Sequence, residues 1–348
     1  MSWELEQSLK IALTKKKWIY GDKYFRIGNP FAWVDGDLQI SRMNFSGVVD
    51  LKQWFSGYYE KYETLRDFKY KDYNKDYKII LNCYKNIFDF YFPFYKKKKD
   101  TTLLKNIICH SLARIQDYCV IKKYTSLRKN SEHLDFGPGL GGNAVYSLRL
   151  LKSKYTGIEA HYWSYDIQRL FFRKLINSGE IYTDLLSAES LGMNDNELKS
   201  IVNDKTSNIK QIPSWHFDFI KNNTKDLITA TTCLNELNTA GIIYFLYHSN
   251  RVLKKNGYLY IRDSAKLKPG RHNVNYDNIL TNIFEYKLVK DFRHLTNRKD
   301  IFALPRIYKK QKIKNFSFEK LYNKLVGYKA ITAHGSVYNQ NLKEKNKK

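Results

Sequence analysis

Four glycines lie close together near the middle of the chain, and an acidic residue stands two positions before the first of them. The segment reads Ser131-Glu-His-Leu-Asp-Phe-Gly-Pro-Gly-Leu-Gly-Gly-Asn143, and it joins a short apolar run to a helical pattern that begins at Ala144. A strand, a glycine turn and a helix in this order bring backbone N–H groups close to an anionic ligand, because glycine has no side chain to block the approach and accepts positive φ. The segment therefore predicts a binding site for a nucleotide-like ligand.

Two spacings of these glycines indicate different cofactors. Gly137, Gly139 and Gly142 satisfy the G-x-G-x-x-G pattern of dinucleotide-binding folds. Gly137, Gly139 and Gly141, with Asp135 two residues before the first of them, instead resemble motif I of class I S-adenosylmethionine (SAM) methyltransferases. A tight turn that binds no ligand is the third interpretation, since glycine patterns of this length also arise by chance.

From about residue 116 the sequence alternates between strand and helix patterns. Strands are predicted at 133–136, 160–166, 209–216, 226–234 and 258–263, helices at 142–154, 168–176 and 240–253, and a closing pair of strands at 287–293 and 300–308. Strands separated by helices predict a doubly wound, Rossmann-like α/β sheet, in which ligands bind at the carboxyl ends of the parallel strands. The glycine turn follows one of these carboxyl ends.

The region before this alternation has a different character. Residues 1–115 carry no glycine motif and are predicted to be mostly helical, with helix patterns at 51–65, 77–90 and 103–124. We expect this region to act as a lid or as a contact between copies of a homo-oligomer. The α/β domain is expected over 116–312, followed by an extension at 313–348 that ends in a basic tail.

Composition limits the class of protein. The 348 residues are 43% hydrophobic and 16% aromatic, which is enough for a large buried core. No apolar run approaches the roughly 18 residues of a membrane helix, and the acidic start lacks the apolar core of a signal peptide, so we expect a cytoplasmic protein without a membrane span. The net charge of +26 would attract nucleic acid, anionic lipid or acidic glycans. Because the lysines are spread along the chain, the charge alone does not identify a partner.

The cysteines do not indicate a metal or a disulfide framework. The four cysteines are Cys83, Cys109, Cys119 and Cys233, and they show no CxxC pair and no metal-ligand spacing. We expect reduced, packed thiols. No paired-ligand spacing calls for a divalent metal, although Glu236 and Asp263 could contribute to binding one.

Three ordered segments resemble a class I SAM-dependent methyltransferase over roughly residues 116–310. They are the glycine segment Leu134–Gly141, the central-strand segment Asp226–Leu237 and the helix-to-strand segment Asn250–Asp263, in which Asn256 replaces the first glycine of the usual turn. Within this superfamily the chain is similar to the sugar O-methyltransferases of bacterial surface-polysaccharide clusters. That similarity lies in the helical N-terminal region and in three residue pairs, which are Asp166-Ile167, Phe171-Phe172 and Asn235-Glu236.

The resemblance implies SAM as the cofactor and suggests which residues bind its amino-acid end. Backbone N–H groups at Gly137, Gly139 and Gly141 suit the carboxylate of SAM, and Asp135 would accept from its ammonium group. A turn-bonding or helix-capping acid is the structural alternative for Asp135.

The ribose and adenine of SAM call for further residues. The ribose needs an acid at the end of the second strand, for which we favour Asp166, with Glu159 as the alternative if the strand at 160–166 is misread. Asp218, within His216-Phe-Asp-Phe219, is the candidate for adenine binding, and an ordinary turn is weighted equally there.

The implied reaction is methyl transfer to a hydroxyl of a sugar or surface glycan precursor, as part of polysaccharide biosynthesis. A base must take the hydroxyl proton, and Glu236 is the first candidate, with Asn235 orienting the substrate and His272 or Asp263 as further candidates. Helix capping and a solvated loop are the structural alternatives for these residues. An RNA methyltransferase that modifies ribose or a base through the basic surface is the alternative function, with nucleic acid as its partner. A nicotinamide-dependent enzyme and a binding module without catalysis also remain open.

Overall fold

A computed structural model describes residues 70–91, 101–159, 162–234, 239–263, 276–292, 304–318 and 320–321. The helix predicted at 51–65 lies outside these residues, as does most of the predicted C-terminal extension. Within the described part of the chain, no helix is both long enough and apolar enough to cross a membrane.

Helices and strands alternate through most of the described chain. The helices are α1 Asn74–Tyr91, α2 Thr101–Tyr124, α3 Asn143–Arg149, α4 Tyr162–Leu175, α5 Ala188–Leu191, α6 Asp195–Asn203, α7 Thr239–Val252 and α8 Tyr276–Asn278. The strands are β1 Glu132–Phe136, β2 Lys154–Glu159, β3 Tyr182–Asp184, β4 Ile209–Pro213, β5 Lys225–Thr231, β6 Leu253–Asp263, β7 Tyr286–Asp291 and β8 Leu304–Lys310. Short 3₁₀ helices occur at Tyr70–Tyr73 and Ser214–Phe219, and one π-helical turn occurs at Ile279–Ile283.

The eight strands form one sheet in the order β3-β4-β2-β1-β5-β6-β8-β7. The strands from β3 to β6 pair in parallel, whereas β8 is antiparallel to both of its neighbours. This arrangement confirms the predicted doubly wound α/β fold and its closing pair of strands. The strand order reverses direction between β1 and β5, and ligands of such sheets bind at this reversal, beyond the carboxyl ends of the strands.

Helices cover both faces of the sheet, so the central strands are buried on both sides. On one face α1 to α4 pack on the sheet through residues such as Ile80, Ile115, Val145 and Phe171. On the other face α6 and α7 pack through residues such as Leu198 and Phe245. The two helices predicted near the N-terminus, at 77–90 and 103–124, are confirmed, and α2 runs across the predicted domain boundary at 115–116.

The structure corrects the prediction around the second strand. The strand predicted at 160–166 is wrong, because β2 ends at Glu159 and Tyr162–Leu175 is helix α4. The helix predicted at 142–154 is correspondingly shorter. The aromatic residues of this segment favour strands by local preference, but buried Tyr165 and Phe172 are seven residues apart, which is two helical turns. Helical packing on the sheet therefore overrides the local preference.

Two residues other than glycine have positive φ in the central strands or next to them, one within β6 and one directly after β5. Asn256 stands where the methyltransferases that the sequence resembles usually have a glycine. Its φ is +66°, a conformation that asparagine tolerates better than most residues. The strand predicted at 226–234 ends earlier, at Thr231, and Thr232 has a φ of +58°. A β-branched residue in this region is strained, and such strain is concentrated near functional sites. Strand β3 and helices α5 and α6 were not predicted.

Candidate functional site

The glycine turn lies at the carboxyl end of β1, where a ligand site was predicted. The N–H of Gly137 donates to the carbonyl of Ile158 on β2 over 3.0 Å, which continues the strand pairing into the turn. Gly137, Gly139 and Gly141 have φ values of +63°, +58° and +79°. Side chains rarely adopt such angles, so the backbone itself requires glycine at these three positions.

The space around each glycine shows which of them faces a ligand. A Cβ on Gly137 would lie 2.7 Å from the Cβ of Cys233, and a Cβ on Gly141 would overlap the ring of Phe172. At Gly139 no described atom lies within 4 Å of the Cβ position. Gly137 and Gly141 are therefore required for packing as well as for backbone conformation, and Gly139 is the position that leaves room for a ligand.

Gly142 serves packing rather than turn geometry. Its φ of −58° is ordinary for any residue, but an added Cβ would overlap the hydroxyl of Tyr84 on α1. The third glycine of the dinucleotide pattern is thus explained by a helix outside the βαβ unit.

The backbone N–H groups of Gly139 and Leu140 donate to none of the described backbone carbonyls. These two amides can therefore bind a ligand.

Asp135 lies beneath the turn and is fully enclosed by protein. Its two carboxylate oxygens accept the hydroxyls of Thr229 on β5 over 2.6 Å and of Tyr155 on β2 over 2.7 Å. Burial raises the pKa of Asp135 to about 6, although the hydroxyls, the Asn143 amide and the Arg114 cation each favour the charged form. The sequence did not indicate these partners, because they come from strands far away along the chain.

A histidine extends this hydrogen-bonded group below Asp135. Nε2 of His133 lies 2.7 Å from Oγ1 of Thr229, and its Nδ1 pairs with the hydroxyl of Ser147. Because Thr229 gives its only proton to Asp135, we assign the Nε2–H tautomer, which donates to Thr229 while Nδ1 accepts from Ser147. Burial, followed by the nearby charge of Lys225, lowers the pKa of His133 to about 3, so the ring stays neutral.

Glu159 is placed where an acid could bind a ribose. It is the last residue of β2, next to the glycine turn on the neighbouring strand β1. Nε2 of Gln168 on α4 donates to Oε2 of Glu159 over 2.8 Å and to the carbonyl of Gly139 over 2.7 Å. Gln168 therefore ties the carboxylate to the turn. The helix pattern at 168–176 gave no indication of these two contacts.

Asp166 does not lie at the end of a strand, and the reason for preferring it as the ribose ligand is therefore wrong. It lies in α4 and is buried, and its Oδ1 is 3.5 Å from Nη1 of Arg169. Arg169 is itself buried and donates from Nε to Asp184 over 2.6 Å. These contacts place Asp166 in a charged group that joins α4 to β3. A direct role in binding the ribose stays a prediction.

The segment predicted to bind adenine follows β4 as a 3₁₀ helix, Ser214–Phe219. Asp218 is exposed, so its carboxylate can reach a ligand. His216 is buried with its ring centroid 4.3 Å from that of Phe219, and Phe217 packs on His248 with centroids 4.9 Å apart. Both phenylalanines thus serve the core, and binding of adenine at Asp218 stays a prediction.

The predicted catalytic residues Glu236, Asn235 and His272 lie outside the described residues, as does the side chain of Asp263. Their roles remain predictions. The described chain leads directly to Asn235 through the strained residue Thr232 and through Cys233, whose Sγ donates to the carbonyl of Phe136 over 3.2 Å.

The thiols and acids of the described residues form no evident metal site. Among the described residues, Cys83, Cys119 and Cys233 form no disulfide, and burial raises the pKa of Cys119 to about 12. Within the described ranges, no three His, Cys, Asp or Glu side chains converge as cation ligands.

The likeness of this chain to known proteins is confined to solved structures. No family model matches the chain, and no curated protein matches its sequence. A SAM-dependent methyltransferase from Aquifex aeolicus is 15% identical, with 56% of this chain and 88% of that chain covered and a TM-score of 0.34.

Two other solved structures match a smaller share of their own chains. A phosphoethanolamine N-methyltransferase 2 from Haemonchus contortus, in complex with S-adenosyl-L-methionine, is 13% identical, with 50% of this chain and 33% of that chain covered and a TM-score of 0.30. A candidate sarcosine dimethylglycine methyltransferase from Galdieria sulphuraria is 16% identical, with 45% and 49% covered and a TM-score of 0.32. The chain spans less than half the length of these two proteins. At these identities and TM-scores the likeness carries no argument, so the fold rests on the strand order of this chain and the chemistry on its site residues.

Proposed function

We propose that this protein is a SAM-dependent methyltransferase. The observation that carries the proposal is the open glycine at the end of β1 beside an acid at the end of β2. Gln168 holds the two together, since it donates both to the carbonyl of Gly139 and to the carboxylate of Glu159. This arrangement offers backbone amides and a carboxylate to one ligand, which suits a molecule with an amino-acid end and a ribose.

The site residues fit SAM group by group. The amides of Gly139 and Leu140 would bind the carboxylate of its amino-acid end, and the ionised form of Asp135 favours the nearby ammonium group and sulfonium. Glu159 accepts from the two ribose hydroxyls, and we prefer it to Asp166 because it ends the strand. Asp218 would accept from the exocyclic amine of adenine. When bound, SAM supplies a methyl group on a sulfonium that leaves readily.

The same residues fit a nicotinamide dinucleotide less well. The dinucleotide fold has the strand order 3-2-1-4-5-6, whereas here the antiparallel β8 separates β6 from β7. In the dinucleotide pattern the third glycine allows close helix–strand packing, but Gly142 is required here by Tyr84 of α1. Both differences favour SAM.

For the acceptor we propose a hydroxyl of a sugar or glycan precursor, in line with polysaccharide biosynthesis. Glu236 would take the proton of the acceptor hydroxyl, to whose oxygen bound SAM would supply the methyl group. Asn235 orients the acceptor, and His272 is the second candidate for the base. Alignment of the reacting atoms supplies much of the rate enhancement, on the order of 7–11 kcal/mol in favourable intramolecular cases.

Calorimetry with SAM and with NADH tests the cofactor. We expect the wild-type protein to bind SAM and not NADH. Glu159→Gln should weaken SAM binding by about 10- to 150-fold, the usual value of one or two hydrogen bonds to a charged group. Asp166→Asn, the matched control, should change the affinity by less than about twofold, within the ordinary scatter of additive effects. A folded protein that does not bind SAM would contradict the proposal.

Methyl transfer from SAM to nucleotide sugars and to RNA tests the acceptor. We expect product with a sugar, and Glu236→Gln should abolish turnover while the SAM affinity is kept. Product with RNA alone would instead support the second candidate, an RNA methyltransferase. The net charge of +26 favours that candidate, and its binding to RNA should weaken steeply with salt.

A further inference from the structure

Helix α2 carries two charged residues, almost one turn apart, whose side chains are enclosed by protein. Arg114 is 6% exposed and Asp117 is 0% exposed, and Nη2 of Arg114 lies 3.7 Å from Oδ2 of Asp117. Buried ions need further hydrogen bonds to compensate for the loss of water. The further bonds of this pair reach two separate segments at the site edge of the sheet.

Arg114 reaches the glycine turn. Its Nη1 donates to Oδ1 of Asn143, the first residue of α3, over 2.9 Å. A Cβ on Gly142 would lie 3.2 Å from Cδ of Arg114, so the arginine stem packs directly against the turn. The positive charge of Arg114 also lowers the pKa of Asp135, against the larger effect of burial. Arg114 thus contacts the turn by a hydrogen bond and by packing, and its charge favours the ionised form of Asp135 beneath the turn.

Asp117 reaches β6, the strand that pairs with β5. Its Oδ1 accepts from Nε of Arg262 over 2.7 Å and from the hydroxyl of Tyr260 over 2.6 Å, and both donors lie on β6. The backbone carbonyl of Arg262 in turn accepts the N–H of Thr232 over 2.6 Å. Thr232 is the strained residue that precedes the predicted Asn235-Glu236 pair, and this hydrogen bond helps to hold its conformation.

We propose that Arg114 and Asp117 are positioning residues, which hold the cofactor-binding turn and the end of β5 in one fixed arrangement. The inference rests on the proposed methyltransferase function. Methyl transfer requires the acceptor oxygen, the methyl carbon and the sulfur to be aligned, and a small displacement lowers the rate strongly. One buried ionic group bonded to both sides restricts such displacement, because moving either side leaves an ion unpaired.

The first test compares Arg114→Met with Arg149→Met by calorimetry with SAM. Arg149 is the matched control, since it is a partly buried arginine with two hydrogen bonds to Glu180, at the far end of α3 from the turn. Arg114→Met should weaken SAM binding roughly tenfold, the scale of coupling through a contiguous network. Arg149→Met should change it less than about twofold. Equal SAM affinities for the two variants would overturn the proposal.

The second test measures hydrogen exchange and does not depend on SAM. Arg114→Met should speed exchange of the Thr232 amide, because Asp117 and Arg262 connect Arg114 to the end of β5, whereas Arg149→Met should leave that amide unchanged. An unchanged Thr232 amide in Arg114→Met would contradict the proposal even if SAM binds. Failure of the wild-type protein to bind SAM would instead contradict the proposed function.

A conservative variant covers the case in which Arg114→Met does not fold. Arg114→Lys keeps the charge but loses the planar fork that can serve two partners, so it should show an intermediate SAM affinity and intermediate exchange at Thr232. Wild-type values for both measurements would overturn the proposal.

Discussion

The sheet has a carboxyl edge and an opposite edge, where the parallel strands end and begin, and these two edges bury charge in different ways. At the carboxyl edge Asp135 is held by hydroxyl groups beneath a glycine turn whose backbone faces open space at Gly139. At the opposite edge the buried charges are lysines. Lys310 donates to the carbonyls of Asn250 and Leu253 over 2.6 and 2.7 Å, where α7 ends.

A second lysine at that edge has the same environment. Nζ of Lys210 donates to the carbonyl of Val202 over 2.9 Å and to that of Asp204, where α6 ends. Burial lowers the pKa of Lys210 and of Lys310 to about 8. Each lysine satisfies carbonyls that a helix end leaves without partners, which is a structural role.

A shifted pKa does not by itself identify a functional site. Desolvation is the first cause at Asp135 and at both lysines. The partners decide the interpretation. The lysines bind carbonyls of the fold, whereas Asp135 lies below backbone that can still bind a ligand.

The largest difference between the edges is expected from the glycine turn. Gly141→Ala places a Cβ against Phe172 at a positive φ, so the free energy of unfolding should fall by about 2–5 kcal/mol, the sum of a left-handed residue and an overpacked core. Gly139→Ala, its control, should lose only about 1–2 kcal/mol but should bind SAM poorly. Urea denaturation and calorimetry measure both quantities. Equal losses of stability would show that the space around Gly141 does not matter.

The next effect concerns Asp135 and pH. Its folded pKa of about 6 lies above the ordinary value of 3.8, so the folded state holds the proton more tightly. Wild-type stability should therefore fall, relative to Asp135→Asn, as the pH rises from about 4 to about 6. A shift of roughly two units corresponds to at most about 3 kcal/mol. Parallel pH profiles of the two proteins in urea would refute the buried, raised pKa.

The lysines of the opposite edge should affect stability but not ligand binding. Lys310→Met leaves two carbonyls without their donor and should cost about 1–3 kcal/mol at neutral pH. The folded pKa of Lys310 is lowered to about 8, so wild-type stability should rise relative to the variant between about pH 8 and 10. Denaturation over this range measures the slope. A changed SAM affinity in Lys310→Met would contradict the assignment of a purely structural role to this edge.

The smallest effect is expected from a surface ion pair at that same edge. Nζ of Lys254 lies 2.8 Å from Asp226, and the two side chains are 41% and 28% exposed. Lys254→Ala should change the free energy of unfolding by less than about 1 kcal/mol, and high salt should reduce the difference further. A larger loss of the free energy of unfolding in urea denaturation would show that the exposure of an ion pair does not determine its contribution to stability here.

Local patterns in the sequence predicted much of the architecture. The glycine turn, the apolar central strand β5 and helices α1, α2 and α7 each have a signal within one continuous segment. The same reasoning failed at 160–166, because aromatic residues suit both a strand and a packed helix. The strand predicted there is also the reason why Asp166 was favoured over Glu159 as the ribose ligand.

The sequence by itself determined that a glycine turn follows a strand of an α/β sheet, since the required positive φ can be read from residue type. Only the tertiary structure decided what surrounds that turn. Thr229 and Tyr155 contact Asp135 because β1 pairs with β5 and β2, and Arg114 contacts Asn143 because α2 packs over α3. These contacts join residues that are far apart along the chain, and no local pattern of residue types encodes such pairings.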